Sequence, residues 1–187
     1  LLSRRFRILK SEGNFNNHLG LSLSLLRIEK DHQVAILEMG TSGLGEIGTL
    51  VGIAPPDVSV ITNISPVHLE FFGSLENIAR AKKEILEGTK EGGIAVLNGD
   101  DPWVGKIGKD WKGDKITFGL SSRCDVQARK VEKRGFDGIF FELRYGGKKE
   151  KIRFPFFYES YLYNFLAASA VAQAFSLSLE DILSKTT

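Results

Sequence analysis

A chain of 187 residues can bury a sizeable core as one large domain, or as one domain with a small appendage. Its 42% hydrophobic and 26% charged content is that of an ordinary soluble globular protein, and a formal net charge of +2 gives no electrostatic case for nucleic acid or an acidic membrane surface. One cysteine, Cys124, excludes an internal disulfide, and there is neither a membrane-length apolar run nor a signal-peptide core, so a cytoplasmic protein is expected.

Leu1-Leu2-Ser3-Arg4-Arg5 reads as the end of a helix that begins upstream, and the chain as a piece of a longer protein. Short β-favouring runs follow at residues 6–9, 34–37, 58–61, 94–97 and 115–118. Those at 34–37, 58–61 and 94–97 are almost continuously apolar, the pattern of parallel strands covered on both faces. Helices are expected between them at 18–27, at 46–53 (stopped by Pro55-Pro56) and at 74–87. This alternation predicts an α/β fold with a doubly wound, mostly parallel sheet. From residue 126 to 157 the texture changes. Ile139, Phe141, Leu143 and Tyr145 alternate with Phe140, Glu142 and Arg144, and Gly146-Gly147 leads into a second run at Ile152, Phe154 and Phe156. An appended antiparallel β-hairpin region is expected there. Helix returns at 161–175, and Ser178 is expected to cap a last helix running toward Lys185. The whole of 1–187 is read as one domain.

In an open α/β sheet, ligands gather beyond the carboxyl ends of the strands. Glu38 follows the run at 34–37, Asn63 and His68 follow 58–61, and Asn98, Asp100 and Asp101 follow 94–97. Singly, each has an ordinary reading as loop anchor, surface histidine or turn. Lys82 is harder to place. It continues the apolar stripe of Leu75, Ile78, Ala79, Ile85 and Leu86, while Arg80, Lys83, Glu84 and Glu87 fall on the opposite, wet face. An ammonium carried into an interior is costly unless paired, neutralised or chemically altered. The alternative is a side chain that reaches water along its methylene stem.

The series Glu38-Met39-Gly40, Gly45-Glu46-Ile47, Thr62-Asn63-Ile64, His68-Leu69-Glu70, Gly73-Ser74, Ala81-Lys82, Glu84-Ile85 and Leu97-Asn98-Gly99-Asp100-Asp101 resembles the central domain of the Mur ligases. These are ATP-dependent amide ligases of peptidoglycan precursor synthesis. The loop Glu12-Gly13-Asn14-Phe15-Asn16-Asn17, leading into Gly20-Leu21, is similar to the branch of the family that adds D-alanyl-D-alanine. The likeness covers nearly the whole chain and is most specific between residues 38 and 101.

The resemblance implies a P-loop NTPase-like domain that uses ATP and Mg²⁺, and a Lys82 carbamylated by carbon dioxide. Carbamylation needs a neutral amine, which burial favours, and its product offers hard oxygen ligands suited to magnesium. By the same resemblance Glu38 is a direct magnesium ligand, His68 a ligand or close neighbour, and carbamylated Lys82 the organiser of a second magnesium. These three form the implied catalytic set. Asn14, Asn16, Asn17 and Ser42 are implied at the muramoyl-peptide site, and Asn63 and Asn164 at the nucleotide. For the loop, an Asn-rich turn with Asn17 capping the next helix is the alternative, and for Asn164 a structural helix-start residue. The implied reaction phosphorylates the terminal carboxylate of a UDP-N-acetylmuramoyl tripeptide and passes the acyl group to D-alanyl-D-alanine. A monomer working with N- and C-terminal domains of its own chain is implied.

Three departures stand against the family pattern. The Gly-rich phosphate loop ending in Gly-Lys-Thr, expected just before the helix that Leu1 continues, does not occur in the chain. Tyr158, Ser160 and Tyr161 occupy places where the family has a Gly-x-His-Asn lead, and Ser42 stands where many members carry Asn. The competing readings are a sibling ligase or folylpolyglutamate synthase, or a non-catalytic module that lost the phosphate loop.

Overall fold

The computed structural model describes residues 1–183. Two compact units make it up. One comprises residues 2–59 and 64–93, the other Leu1, residues 60–63 and the chain from Ile94 onward. Among the described residues no helix is long and apolar enough to cross a membrane.

In the first unit, β1 (Ile8–Lys10) and β2 (Val34–Ile36) pair in parallel, with Ile8 opposite Val34 and Lys10 opposite Ile36. α1 (His18–Leu25) connects them, and α2 (Glu46–Ile53), α3 (Leu69–Phe72) and α4 (Leu75–Glu87) complete the unit. The expected cover on both faces of the 34–37 run does not form: Ala35 is exposed and Ile36 is 47% exposed. β2 has a single ladder partner, β1, which leaves its other edge unpaired among the described residues. Ser74 caps α4 by accepting the N–H of Asn77 at 3.2 Å. Ile78, Ala79, Ala81 and Leu86 of α4 are buried, as are Ile47, Leu50 and Val51 of α2, the helix it packs on. Just past the end of α4 the two helices approach closely, since a Cβ on Gly88 would overlap the Val51 side chain.

The second unit holds a six-stranded sheet in the order β3 (Val58–Ile61), β4 (Ile94–Asn98), β5 (Asp114–Gly119), β6 (Val126–Lys133), β7 (Ile139–Tyr145) and β8 (Lys148–Phe154). The division between the units falls within β3, after Ser59. β4, β5 and β6 run parallel to one another, and β6, β7 and β8 are antiparallel, so the expected mixed sheet forms. On β7 the alternation delivers Ile139, Phe141, Leu143 and Tyr145 to the core. α6 (Glu159–Ala174) packs on β4, β5 and β6 through an apolar face that includes Leu162, Leu166 and Ala170. It begins two residues earlier than its periodicity indicated. α5 (Pro102–Ile107) packs on β4, and the Tyr145 hydroxyl donates to the carbonyl of Leu177 just ahead of α7 (Leu179–Leu183). Ser178 and Asp181 exchange side-chain and backbone hydrogen bonds at 2.8 and 3.2 Å, a reciprocal cap at the start of α7. The expected continuation to Lys185 lies outside the described residues.

Candidate functional site

In the first unit the site is built from the loops that leave β1 and β2 at their carboxyl ends. Ser11 N–H donates to the carbonyl of Ile36, and Ser11 Oγ accepts the N–H of Glu38 at 3.1 Å, so the two loops begin side by side. Asn16 then reaches Glu38 directly: its Nδ2 donates to Oε1 at 3.0 Å, and its carbonyl accepts the N–H of Gly40 at 2.8 Å. A Cβ on Gly40 would lie 2.9 Å from the Asn16 side chain, so a larger residue there would have to displace the amide that holds Glu38. Two residues expected in different roles, one toward the peptide and one toward the metal, thus form one hydrogen-bonded pair. Asn17 caps α1, its Oδ1 accepting the N–H of Gly20 at 2.9 Å. Asn14 is exposed, and its carbonyl accepts the N–H of Asn16 at 2.8 Å.

The next loop is organised by two carboxylates. Glu46 accepts the N–H of Ser42 at 2.7 Å, the N–H of Gly43 at 3.3 Å and the Thr41 hydroxyl at 3.1 Å. These bonds, the one from Ser42 foremost, hold its carboxyl below the usual carboxylate value. Ser42 itself is exposed and enters the structure through its main chain. Glu84 of α4 accepts from Gly45 and Gly48 at the start of α2, at 2.7 and 2.8 Å.

His68 is exposed and sits at φ 55, ψ 32, a left-handed conformation uncommon outside glycine. It caps α3 with its carbonyl, which accepts from Phe71 and Phe72. Lys82 keeps its place on the arc of α4 that carries Ile78 and Leu86, but it is half-buried rather than enclosed. Glu84, read as belonging to the wet face, is half-buried because its carboxylate is drawn to the first N–H groups of α2.

Magnesium takes oxygen ligands and keeps several waters, so it needs few protein groups. Glu38 suits it: the carboxylate is exposed at a strand end, and Oε2 makes no hydrogen bond among the described residues. The His68 imidazole is likewise exposed. An unmodified lysine ammonium carries no lone pair and repels a cation, so Lys82 in its ordinary charged form does not fit a magnesium site. Among the described residues one trio of acidic and histidine side chains lies within 4.8 Å of one another, Glu29, Asp31 and His32. Glu38 and His68 are not part of it, and Arg7 already pairs with both of its carboxylates.

In the second unit, Asn98 lies within β4 and not beyond it, donating to the carbonyl of Thr62 at 2.8 Å and accepting the N–H of Asp100 at 2.9 Å. Asn63 is exposed, and its Oδ1 accepts from the Thr62 hydroxyl at 3.4 Å. Asp100 is more than a turn residue. Its carboxylate gathers the N–H groups of Leu120 and Ser121 and the hydroxyl of Tyr163, at 2.9 Å for the last. Burial, with the Asp100 carboxylate beside it, pushes the Tyr163 hydroxyl well above its usual value. Asp101 caps α5 through Trp103 and Val104. Asn164 follows Tyr163 on the exposed side of α6. The anchoring roles of Glu84 and Asp100 escaped the sequence reading. For Asp100 the available signal was Asn98-Gly99-Asp100 at the end of a buried strand.

The family model for the Mur ligase middle domain matches residues 1–172, and the chain belongs to that family. It is 35% identical over 97% of its length to the UDP-N-acetylmuramoyl-tripeptide–D-alanyl-D-alanine ligase of Bacillus subtilis, of which it spans 38%. With the enzyme of the same name from Rickettsia prowazekii it shares 42% identity over 68% of the chain and 29% of that protein. Among solved structures it is similar to MurF from Acinetobacter baumannii (TM-score 0.91, 34% identity, 99% of this chain and 40% of that one). It is similar also to the MurF ligase of Thermotoga maritima in complex with ADP (TM-score 0.87, 30% identity, 100% of this chain and 44% of that one). The chain spans well under half the length of each of these relatives.

Proposed function

We propose that the chain is the central-domain portion of an ATP-dependent ligase, working in the cytoplasm, that joins D-alanyl-D-alanine to a UDP-N-acetylmuramoyl tripeptide. The observation that carries this reading is the Asn16–Glu38 hydrogen bond, which ties the amide-rich loop to a strand-end carboxylate suited to magnesium. The names of the 35% and 42% identical relatives support the same substrates, and the relative solved with ADP supports an adenine nucleotide.

In the first step the γ-phosphoryl group of ATP passes to a terminal carboxylate oxygen of the tripeptide, and ADP leaves. In the second, the amine of D-alanyl-D-alanine attacks the acyl carbon, a C–N bond forms, the C–O bond to phosphate breaks and the amine loses a proton. Magnesium supplies charge neutralisation at the polyphosphate and at the oxygens that gain charge. Glu38 and His68 would hold it, with Lys82 contributing as its carbamate. Asn14, Asn16, Asn17 and the segment at Ser42 face the muramoyl peptide, where Asn16 also fixes the Glu38 carboxylate. Asn63 and Asn164 serve the nucleotide. A monomer is sufficient for this chemistry.

The test is phosphate release by the complete gene product that carries this chain, given ATP, magnesium, the UDP-N-acetylmuramoyl tripeptide and D-alanyl-D-alanine. Release that requires all four is expected. Release driven by a single amino acid on a shorter muramoyl peptide, and not by the dipeptide, would transfer the chain to a sibling ligase.

A further inference from the structure

We propose that the outward face of strands β6, β7 and β8, with Phe136 at its tip, docks on an anionic phospholipid bilayer. Its cations meet the headgroup phosphates, and the Phe136 ring enters the boundary between headgroups and acyl chains.

The strand ladder builds this face. The alternation that sends Ile139, Phe141, Leu143 and Tyr145 inward turns Phe140, Glu142 and Arg144 outward, together with the residues paired opposite them. Three cross-strand rows result: Gln127, Arg144 and Lys149; Arg129, Glu142 and Lys151; Glu132, Phe140 and Arg153. Two further cations lean over the rows. Arg134 lies 4.5 Å above the Phe140 ring, and Lys130 Nζ is 4.0 Å from the Glu142 carboxylate. The rows hold two carboxylates, and both are already engaged: Glu132 pairs with Arg134 at 2.6 Å, and Glu142 with Arg144 at 3.6 Å. Arg129, Lys149 and Lys151 are exposed and form no ion pair among the described residues. The formal net charge of +2 conceals this excess, because it is collected on one sheet face.

The tip of the face is aromatic. Phe136 is 97% exposed, yet the turn that carries it is fixed. Arg134 N–H donates to the carbonyl of Gly138 at 2.9 Å, and Asp137 N–H to that of Arg134 at 3.1 Å. Gly135 and Gly138 take the positive φ values, 55° and 93°, that the turn requires. Arg153 Nε donates to the Asp137 carbonyl at 3.1 Å and ties the turn to the last cationic row. A large ring held in water on an ordered turn, beside a basic face, suits a bilayer interface.

A nucleic acid fits the face less well. Its bases need ring faces on which to stack, and the aromatic residue within the rows, Phe140, is half-buried beneath Arg134. The exposed ring stands instead at the end of the sheet, where it can enter a surface that the cations lie against. One ring and a basic face give a reversible attachment that weakens with ionic strength.

The complete gene product, sedimented with vesicles of phosphatidylcholine containing phosphatidylglycerol, tests this. Binding is expected at low ionic strength, with release on adding salt and no binding to pure phosphatidylcholine. Lys149→Gln combined with Lys151→Gln should weaken it roughly tenfold or more. Lys109→Gln combined with Lys112→Gln removes the same charge from exposed positions outside the face and should leave binding unchanged. Phe136→Ser should weaken it severalfold. All these positions are exposed, so every variant should keep the parent's urea midpoint. A parent protein that does not sediment with the anionic vesicles overturns the proposal. Equal weakening by the two lysine pairs overturns it as well, since net charge and not this face is then responsible. Binding that Phe136→Ser leaves intact overturns the insertion of the tip. Binding to single-stranded RNA that the Lys149 and Lys151 changes abolish, with none to vesicles, assigns the face to nucleic acid instead.

Discussion

The carboxylate of Glu84 spans the start of α2, its Oε1 accepting the N–H of Gly45 at 2.7 Å and its Oε2 the N–H of Gly48 at 2.8 Å. One side chain therefore satisfies two of the N–H groups that the beginning of a helix leaves without partners. It also places a negative charge where the helix dipole is positive. The consequence reaches further than helix stability, because α4 carries Lys82 two residues earlier and α2 follows directly on the loop that leaves Glu38. Glu84 fixes the helix of Lys82 to the loop of Glu38.

Glu84→Ala should therefore destabilise the protein by about 1–2 kcal/mol, from two charge-assisted hydrogen bonds and a dipole contact. Glu84→Gln should fall between, since an amide has one accepting oxygen and can serve only one of the two N–H groups well. Urea unfolding measures both. An alanine variant with the parent's midpoint and slope would show that water replaces the carboxylate at no loss.

This clamp also marks where the sequence stops being legible. The helix of residues 75–87 and its apolar arc could be read from periodicity, as could the alternation of β7. Glu84 could not, because its partners lie 36 and 39 residues away and are backbone groups, which carry no residue-specific signal. Lys82 illustrates the same limit from the other side. Helical phase placed it on the buried arc, but the depth of a long side chain depends on what covers its tip. The exposed flank of β2 was misjudged for a related reason: an apolar run reports what a strand can bury, not which neighbours it has. Asn16 came from motif likeness and Glu38 also from its place at a strand end, and only the fold showed that they touch.

Glu38→Gln should reduce ligation by a hundredfold or more while leaving unfolding within about 0.5 kcal/mol of the parent, as expected at an exposed position. The amide keeps the shape and the hydrogen bond from Asn16 but loses the charge that a divalent cation requires. Asn16→Ala should be milder in turnover and show more in KM for the muramoyl peptide. Its first effect is to release the Glu38 carboxylate and the loop, not to remove a ligand. Full activity in Glu38→Gln at limiting magnesium would remove Glu38 from the metal site.

Lys82→Ala should nearly abolish ligation in the complete gene product without unfolding it, because only part of the residue is buried and the flanking Ile78 and Leu86 remain. Mass spectrometry under non-acidic conditions, with bicarbonate and magnesium present, should find Lys82 heavier by one carbon dioxide. The modification should disappear on acidification, since carbamates are acid-labile. Wild-type-like turnover in Lys82→Ala would eliminate the carbamate role, and a turnover that does not depend on bicarbonate in carefully decarbonated buffer would weigh against it as well.

Alkaline pH should destabilise the second unit in a definite order. Burial, aided by the carboxylates of Asp100 and Asp125, pushes the Cys124 thiol from 9.0 up to about 11. Burial, with Asp181 nearby, pushes the Tyr145 hydroxyl from 10.0 up to about 12. In each case the folded protein keeps its proton at a pH where the unfolded chain has lost it. The unfolded state then binds fewer protons, and stability falls as pH rises. The thiol's contribution is fully present below about pH 9 and declines between pH 9 and 11, and that of Tyr145 declines between pH 10 and 12. Each loss is on the order of 1–2 kcal/mol. Urea midpoints measured from pH 7 to 11 should be flat at first and then slope downward. Cys124→Ala should be less stable at pH 7, having lost buried sulfur, yet should show a shallower decline just above pH 9. A variant whose decline starts at the same pH with the same slope would show that the thiol is not the group that titrates.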